Sequence, residues 1–210
     1  MIPADSLVIF LIASLLLGLA PGPDNIFVLM QSALYGRSAG LFVTLGLCTG
    51  LLIHTALVAV GVAAIVMAST LGFTVLKIVG VLYLLYLAWQ AFFSSSINTA
   101  NPVIRRISVK TLYWRGVVMN VTNPKVSIFF LAFLPQFTNP DNGLYTWQIA
   151  KLGFFFILIT LFVFGVIAFL AGCLSVWWNR SPQAQRHLGR VGGYVFIGLA
   201  ISLGISEVGI

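Results

Sequence analysis

The chain has 210 residues, 60% of them hydrophobic and only 7% charged, with a mean hydropathy of +1.07. A soluble domain carries about 25% charged side chains, so a water-facing surface cannot be assembled from this composition. The net charge of +7 comes from bases scattered between apolar runs, not interleaved on one polar face, which excludes nucleic acid and leaves the lipid bilayer as the surrounding partner.

Solid apolar blocks of roughly 20 residues are what a bilayer core demands of helices, whereas a barrel needs short alternating segments. Six transmembrane helices are predicted in chain order, at about residues 7–34, 40–67, 72–93, 115–137, 147–176 and 190–206. The first run has no basic leader and no small-residue cleavage site, so it is read as a retained helix. It is interrupted by Pro21-Gly22-Pro23-Asp24-Asn25. Proline has no amide hydrogen and clashes with the carbonyl four residues back, so Pro21 and Pro23 free the carbonyls of Leu17 and Leu19.

The Gly36-Arg37-Ser38-Ala39-Gly40 turn matches the spacing of a hydrolase nucleophile elbow. That elbow requires a strand before it and a histidine and an acid beside it; two membrane helices flank this one, so it is read as a turn. In the second helix, Gly46 and Gly50 bracket Cys48, as Gly189 and Gly193 do in the last. Such spacing lets helix backbones approach, first within the monomer and secondarily in a homodimer. His54 sits mid-helix, either as hydrogen-bonded core or as a proton carrier. Tyr83, Tyr86 and Gln90 form a polar stripe on the third helix, read as cavity lining or as an interfacial position. The polar stretch from Ser94 to Lys110 follows.

The fourth helix carries Asn120 and is broken at Asn123-Pro124-Lys125, where Pro124 frees the carbonyl of Asn120. Gly22-Pro23 and Asn123-Pro124 each fit the rule that proline opens a helix after a cap, so each break is expected to start a new half-helix. The phenylalanines of the fourth and fifth helices are expected to face lipid. The turn at Asn139 to Gly143 and the segment Asn179 to His187 are read as connections. Trp114, Trp147, Trp177 and Trp178 stand near helix ends as interfacial anchors. Cys48 and Cys173 behave as small apolar residues, and no cluster has metal-ligand spacing.

Arg37, then Arg105, Arg106, Lys110 and Arg115, then Arg180, Arg186 and Arg190 mark the odd connections as cytoplasmic, with Asp5, Asp141 and Glu207 on the other side. Both termini then face outward, on the periplasmic side of a bacterial inner membrane. The whole of 1–210 is one membrane domain, with repeat one at about 6–93, a connection at about 94–114 and repeat two at about 115–208. Three helices per half force the halves into opposite orientation. The expected class is therefore an all-α membrane protein of two inverted three-helix repeats with helices 1 and 4 broken, and such breaks point to a binding site.

Asp24 and Lys125 are the only full charges deep in an apolar run, where a charge costs several kcal/mol. An acid suits the positive end of a half-helix, but a base does not, so Lys125 requires an anion: Asp24 of the other repeat or a substrate carboxylate. A fixed ion pair tying the repeats together is the plain alternative.

At these residues the chain resembles the lysine exporter (LysE/RhtB) family of bacterial amino-acid exporters. The likeness rests on Pro21 to Asn25, on Gly40, Gly46 and Gly50, on Lys77-Ile78-Val79-Gly80-Val81-Leu82-Tyr83-Leu84, and on Asn123-Pro124-Lys125 with the Phe129 to Phe137 run. The resemblance implies export of amino acids or related metabolites driven by the proton gradient, and the first motif is more similar to the neutral amino-acid and homoserine or threonine branch. The expected exporter binds its substrate through Asp24, Asn25, Asn120, Asn123, Lys125, the carbonyls of Leu17 and Leu19, and Tyr83 and Tyr86, with Asp24 and His54 handling protons. No cofactor or enzymatic activity is expected. The rival readings are a passive channel, a membrane scaffold, and an intramembrane enzyme for which His54 is the one available base.

Overall fold

The structure, a computed structural model of the chain, describes residues 2–68, 70–93, 107–139, 143–180 and 182–205. Backbone amides in hydrocarbon must be satisfied within their own segment, and the described residues form helices with no strand. These are α1 (Ala4–Leu19), α2 (Pro23–Tyr35), α3 (Arg37–Ala68), α4 (Thr70–Phe93), α5 (Val109–Val121), α6 (Pro124–Ile128), α7 (Tyr145–Arg180) and α8 (Pro182–Ile205). Beyond α6 the chain winds on through a π-helical turn, Phe129–Phe133, and a 3-10 turn, Leu134–Phe137.

Residues 37–61 of α3 and 145–171 of α7 are each long and apolar enough to cross a membrane. The pairs α1 with α2 and α5 with the helix from Pro124 to Phe137 qualify only as bent spans, turning by 57° and 50° at their breaks. Residues 77–89 of α4 and 193–205 of α8 are shorter apolar helices. By length and composition the described residues give two to four spans, and the two short apolar stretches stand where the third and sixth expected helices lie.

The expected connection from Asn179 to His187 is instead helical up to Arg180 and again from Pro182. Pro182 is the only strong breaker there, and at the first position of α8 it costs no hydrogen bond. The expectations placed on Ser94 to Arg106, Asp141 and Glu207, and on the side chains of Gln90, Cys173, Trp177, Trp178, Arg180 and Arg186, lie outside the described residues.

Helix α3 runs through the middle of the bundle, packing along α5 on one side and α7 on another; α1 and α2 also pack on α7, and α4 lies along α8. The α3–α5 contact is a backbone approach. A side chain at Gly46 would strike the carbonyl of Tyr113, and one at Gly116 would strike that of Val43. Gly46 therefore serves packing inside this chain. Gly36, with φ of 86°, ends α2 in a conformation that other residues resist, and α3 starts at the next residue.

The phenylalanines divide. Of α7, Phe154, Phe162 and Phe169 are exposed on the apolar outside, as expected of lipid-facing residues, whereas Phe156 and Phe164 are buried, which overturns that expectation for them. Phe129, Phe130 and Phe133 are buried, which overturns the expectation for the fourth helix. The π turn swings them inward, where Phe129 meets Phe133 at 4.9 Å and Phe156 at 5.3 Å, and Phe130 meets Phe156 at 5.1 Å. Aromatic bulk fills the space that a bent helix leaves behind.

Replacing Gly46 or Gly116 by leucine is expected to lower stability by about 1–3 kcal/mol or more, because backbone cannot move aside for the new side chain. Gly61→Ala, at a position with open space around it, is the control. Melting of the detergent-purified protein followed by size-exclusion chromatography compares them; equal melting of Gly46→Leu and wild type refutes the packing.

Candidate functional site

The first break is made in two steps. Helix α1 stops at Leu19, Ala20 leaves helical geometry at ψ 124°, and Gly22 is extended, so that Pro23 opens α2 at its first position. At the second break Thr122 ends α5, and Asn123 caps the helix that Pro124 opens. Both breaks lie inside the bundle, and polar side chains are buried at both.

These side chains cross from one break to the other. Asn123 Nδ2 donates to Asp24 Oδ1 at 2.6 Å, while Asn123 Oδ1 accepts from the backbone N–H of Lys125 at 3.0 Å. The Lys125 ammonium donates to the carbonyl of Ala20 at 2.9 Å and lies 5.8 Å from the centre of the Phe196 ring. Asp24 and Lys125 are each only 5% exposed. They stand close enough for each charge to act on the other, yet each ends on a neutral partner contributed by the opposite break.

Around this bridge sit polar groups with capacity to spare. Asn25 Nδ2 donates to the carbonyl of Gly18 at 2.7 Å, and its Oδ1 has no partner. Asn120, 2% exposed, also carries an unpartnered Oδ1, as does Gln31 in its Oε1. Its backbone carbonyl accepts from the N–H of Asn123 at 3.0 Å and from His54 Nε2 at 3.2 Å. The Asn123 backbone and the His54 imidazole thus meet at one shared acceptor, the Asn120 carbonyl, and His54 packs 5.7 Å from Phe130. Buried acceptors without donors cost about 1–3 kcal/mol each, so the two at Asn25 and Asn120, beside the breaks, mark a place where donors are to be brought in.

The two breaks come close together beside them. A Cβ at Gly22 would come within 3.3 Å of Lys125 Nζ and 3.7 Å of Asn25 Oδ1. The glycine's extended backbone suits any residue, so what it supplies is the close approach of Lys125 Nζ to the chain at the first break.

The structure thus gathers Pro21, Gly22, Pro23, Asp24, Asn25, Asn120, Asn123, Pro124, Lys125 and His54 at or next to the two breaks. The carbonyls that meet polar side chains at the first break belong to Gly18 and Ala20. Counting lost amide hydrogens points to Leu17 and Leu19, but the departure of Ala20 from the helix frees neighbouring carbonyls as well. Leu17 is buried, while the Leu19 side chain is 53% exposed on the outside of the bundle. Tyr83 is half-buried on α4, and Tyr86, 54% exposed, lies 6.0 Å from it between ring centres. Its exposure fits the interfacial alternative. Gln31 was reachable from sequence as a lone amide in an apolar helix, whereas nothing polar singles out Phe196.

Among the described residues no group of three or more His, Cys, Asp or Glu side chains is placed to hold a metal.

Comparison with known proteins gives a consistent picture. A family model described as LysE type translocator matches residues 15–207. The uncharacterized membrane protein YrhP of Bacillus subtilis is 26% identical over 210 residues, covering 96% of this chain and 99% of that protein. The homoserine/homoserine lactone efflux protein of Salmonella typhimurium is 31% identical over 191 residues, 90% of each chain. The leucine efflux protein of the same organism is 26% identical over 204 residues, 92% of each. No solved structure matches.

Asn123→Ala removes both the donor to Asp24 and the cap on α6, and is expected to cost about 2 kcal/mol or more. Thr122→Ala, which deletes an exposed hydroxyl bonded within its own helix, should melt with wild type. Thermal unfolding in detergent distinguishes the two; an unchanged Asn123→Ala removes the bridge from the account.

Proposed function

The chain belongs to the LysE type translocator family, and from that premise we propose that it is a secondary exporter of neutral amino acids or closely related zwitterions. The observation that carries the reading is the buried Asp24–Asn123 and Lys125–Ala20 bridge across two broken helices. Isolated charges in an apolar bundle cost several kcal/mol. Opposite charges with partners that a ligand can replace are what a zwitterion needs.

In this reading the substrate carboxylate takes the Lys125 ammonium from the Ala20 carbonyl. The substrate ammonium meets Asp24 and the carbonyls of the first break, while Asn25 and Asn120 offer their unpartnered oxygens. The relatives named for homoserine and leucine efflux support a small, neutral amino acid or derivative as cargo.

Outward transport is coupled to protons moving inward, with Asp24 as the site of protonation and His54 at the Asn120 carbonyl that the Asn123 backbone shares. A neutral Asp24 no longer needs its amide donor or the nearby cation, which loosens the bridge and lets the halves move. Helix pairing supports two inverted repeats of three spans. Exchanging the halves turns the packing of α3 on α5 into that of α7 on the α1–α2 pair, and leaves the pairs α3–α7 and α4–α8 unchanged. The exposed bases Arg37, Lys110, Arg115 and Arg190 then face the cytoplasm from a bacterial inner membrane, with both termini outside.

Purified protein in liposomes is expected to exchange labelled amino acid by saturable counterflow, and a pH gradient should accelerate net flux. Saturation-free flux indicates a pore. Asp24→Asn should insert normally and lose at least tenfold of the pH-driven acceleration; retained acceleration removes Asp24 from coupling. Lys125→Met should raise the half-saturating concentration about tenfold or more, the loss of one charge-assisted hydrogen bond.

A further inference from the structure

One outer face of the bundle carries a groove of about 720 Å³ between α2 and α5. Lys110, Trp114 and Arg115 line one end, and Val118, Met119 and Phe27 continue it toward the breaks. The α5 residues fall on one stripe of the helix, and Lys110, Trp114, Arg115 and Val118 are exposed. A base-rich, aromatic head thus leads into an apolar trough.

Among the described residues no acid is paired with that head. The protein has 11 bases against four acids, and the first turn of α5 contains no acid. The helix starts here, so its own positive dipole end adds to Lys110 and Arg115 instead of opposing them. An anion outside the chain would be drawn to it.

The dimensions select its kind. From Lys110 to the end of α5 is about 12 residues, or roughly 18 Å at 1.5 Å per residue. Half of a hydrocarbon core is about 15 Å. A phosphate at the basic end therefore lets an acyl chain run the depth of one leaflet along the apolar trough, with Trp114 at headgroup level. A free anion uses the bases but leaves the trough unfilled.

We propose that this groove is a binding site for an anionic phospholipid, its phosphate held by Lys110 and Arg115 and one acyl chain laid along Val118, Met119 and Phe27. Because the trough leads toward the element that carries Asn123, a seated lipid also braces α5 against α2 at the second break. The inference rests on the membrane reading and not on transport, since lipid retention is measured without substrate. Failed export leaves it standing, and lost lipid binding leaves the export site standing.

The test is native mass spectrometry of the full chain in detergent with equimolar phosphatidylglycerol and phosphatidylethanolamine. Wild type is expected to retain phosphatidylglycerol with a preference of about tenfold or more, given two bases near one headgroup. Lys110→Gln with Arg115→Gln should bring the preference to parity, each single variant should fall between, and Lys151→Gln, on the groove beside Trp147, should keep it. Phosphatidylglycerol should raise the melting temperature of wild type and not of the double variant. Equal retention of the two lipids by wild type overturns the proposal, as does a preference that survives both substitutions. Inorganic phosphate that raises the melting temperature as much as the lipid assigns the bases to a free anion and overturns it too.

Discussion

Hydrocarbon offers no hydrogen bonds, so a helix that breaks inside a membrane protein must find partners for its backbone elsewhere in the protein. Here each break is completed by the other. The carbonyl of Ala20 at the first break is met by Lys125 from the second, and the carboxylate of Asp24 at the first is met by the amide of Asn123 at the second. Neither pair of bent helices is satisfied alone. The same contacts that hold the halves together are made of groups that a zwitterion reproduces, a carboxylate and an ammonium. A tie of this kind is separable by its own ligand. That distinguishes it from a bridge of two charges sealed directly on each other, where leaving either one unpaired costs 3–5 kcal/mol or so.

The rest of the bundle brings these groups to the interior. Helix α3 approaches α5 backbone to backbone at Gly46 and Gly116. One turn further along, Gly50 makes room for the Asn120 side chain. One more turn places His54 on the same face of α3, within 3.2 Å of the Asn120 carbonyl. On the other side, the π turn after α6 rotates Phe129, Phe130 and Phe133 inward, sealing the volume beyond the breaks with packed rings. Small residues in α3 and large ones after α6 thus act together: one permits close approach, the other closes the space a bend opens.

Much of this was legible in the residues. Apolar block length gave the helical membrane class, and the two proline motifs located both breaks, the caps Gly22 and Asn123, and the charges beside them. The count of spans rests on less: α4 and α8 stand where the third and sixth helices were expected, but their described apolar stretches, residues 77–89 and 193–205, are short. That polar side chains meet the carbonyls of Gly18 and Ala20 was not legible, because counting lost N–H groups names Leu17 and Leu19 and does not say where the chain leaves the helix, at Ala20. The inward turn of Phe129 to Phe133 was missed since a π turn shifts the register of one helix face by a residue, and nothing in a run of phenylalanines announces it. Tyr83 and Tyr86 show where spacing stops informing: it marks a stripe, but it does not say which way the stripe points.

The central claim is that Asp24 and Lys125 serve one binding site built from both breaks. A double-mutant cycle on the affinity of the purified protein for labelled amino acid, using Asp24→Asn, Lys125→Met and their combination, tests it directly. The account predicts strong coupling, with the double variant no weaker than the worse single variant, because each substitution already dismantles the shared site. Losses that simply add, leaving two independent contributions, contradict it.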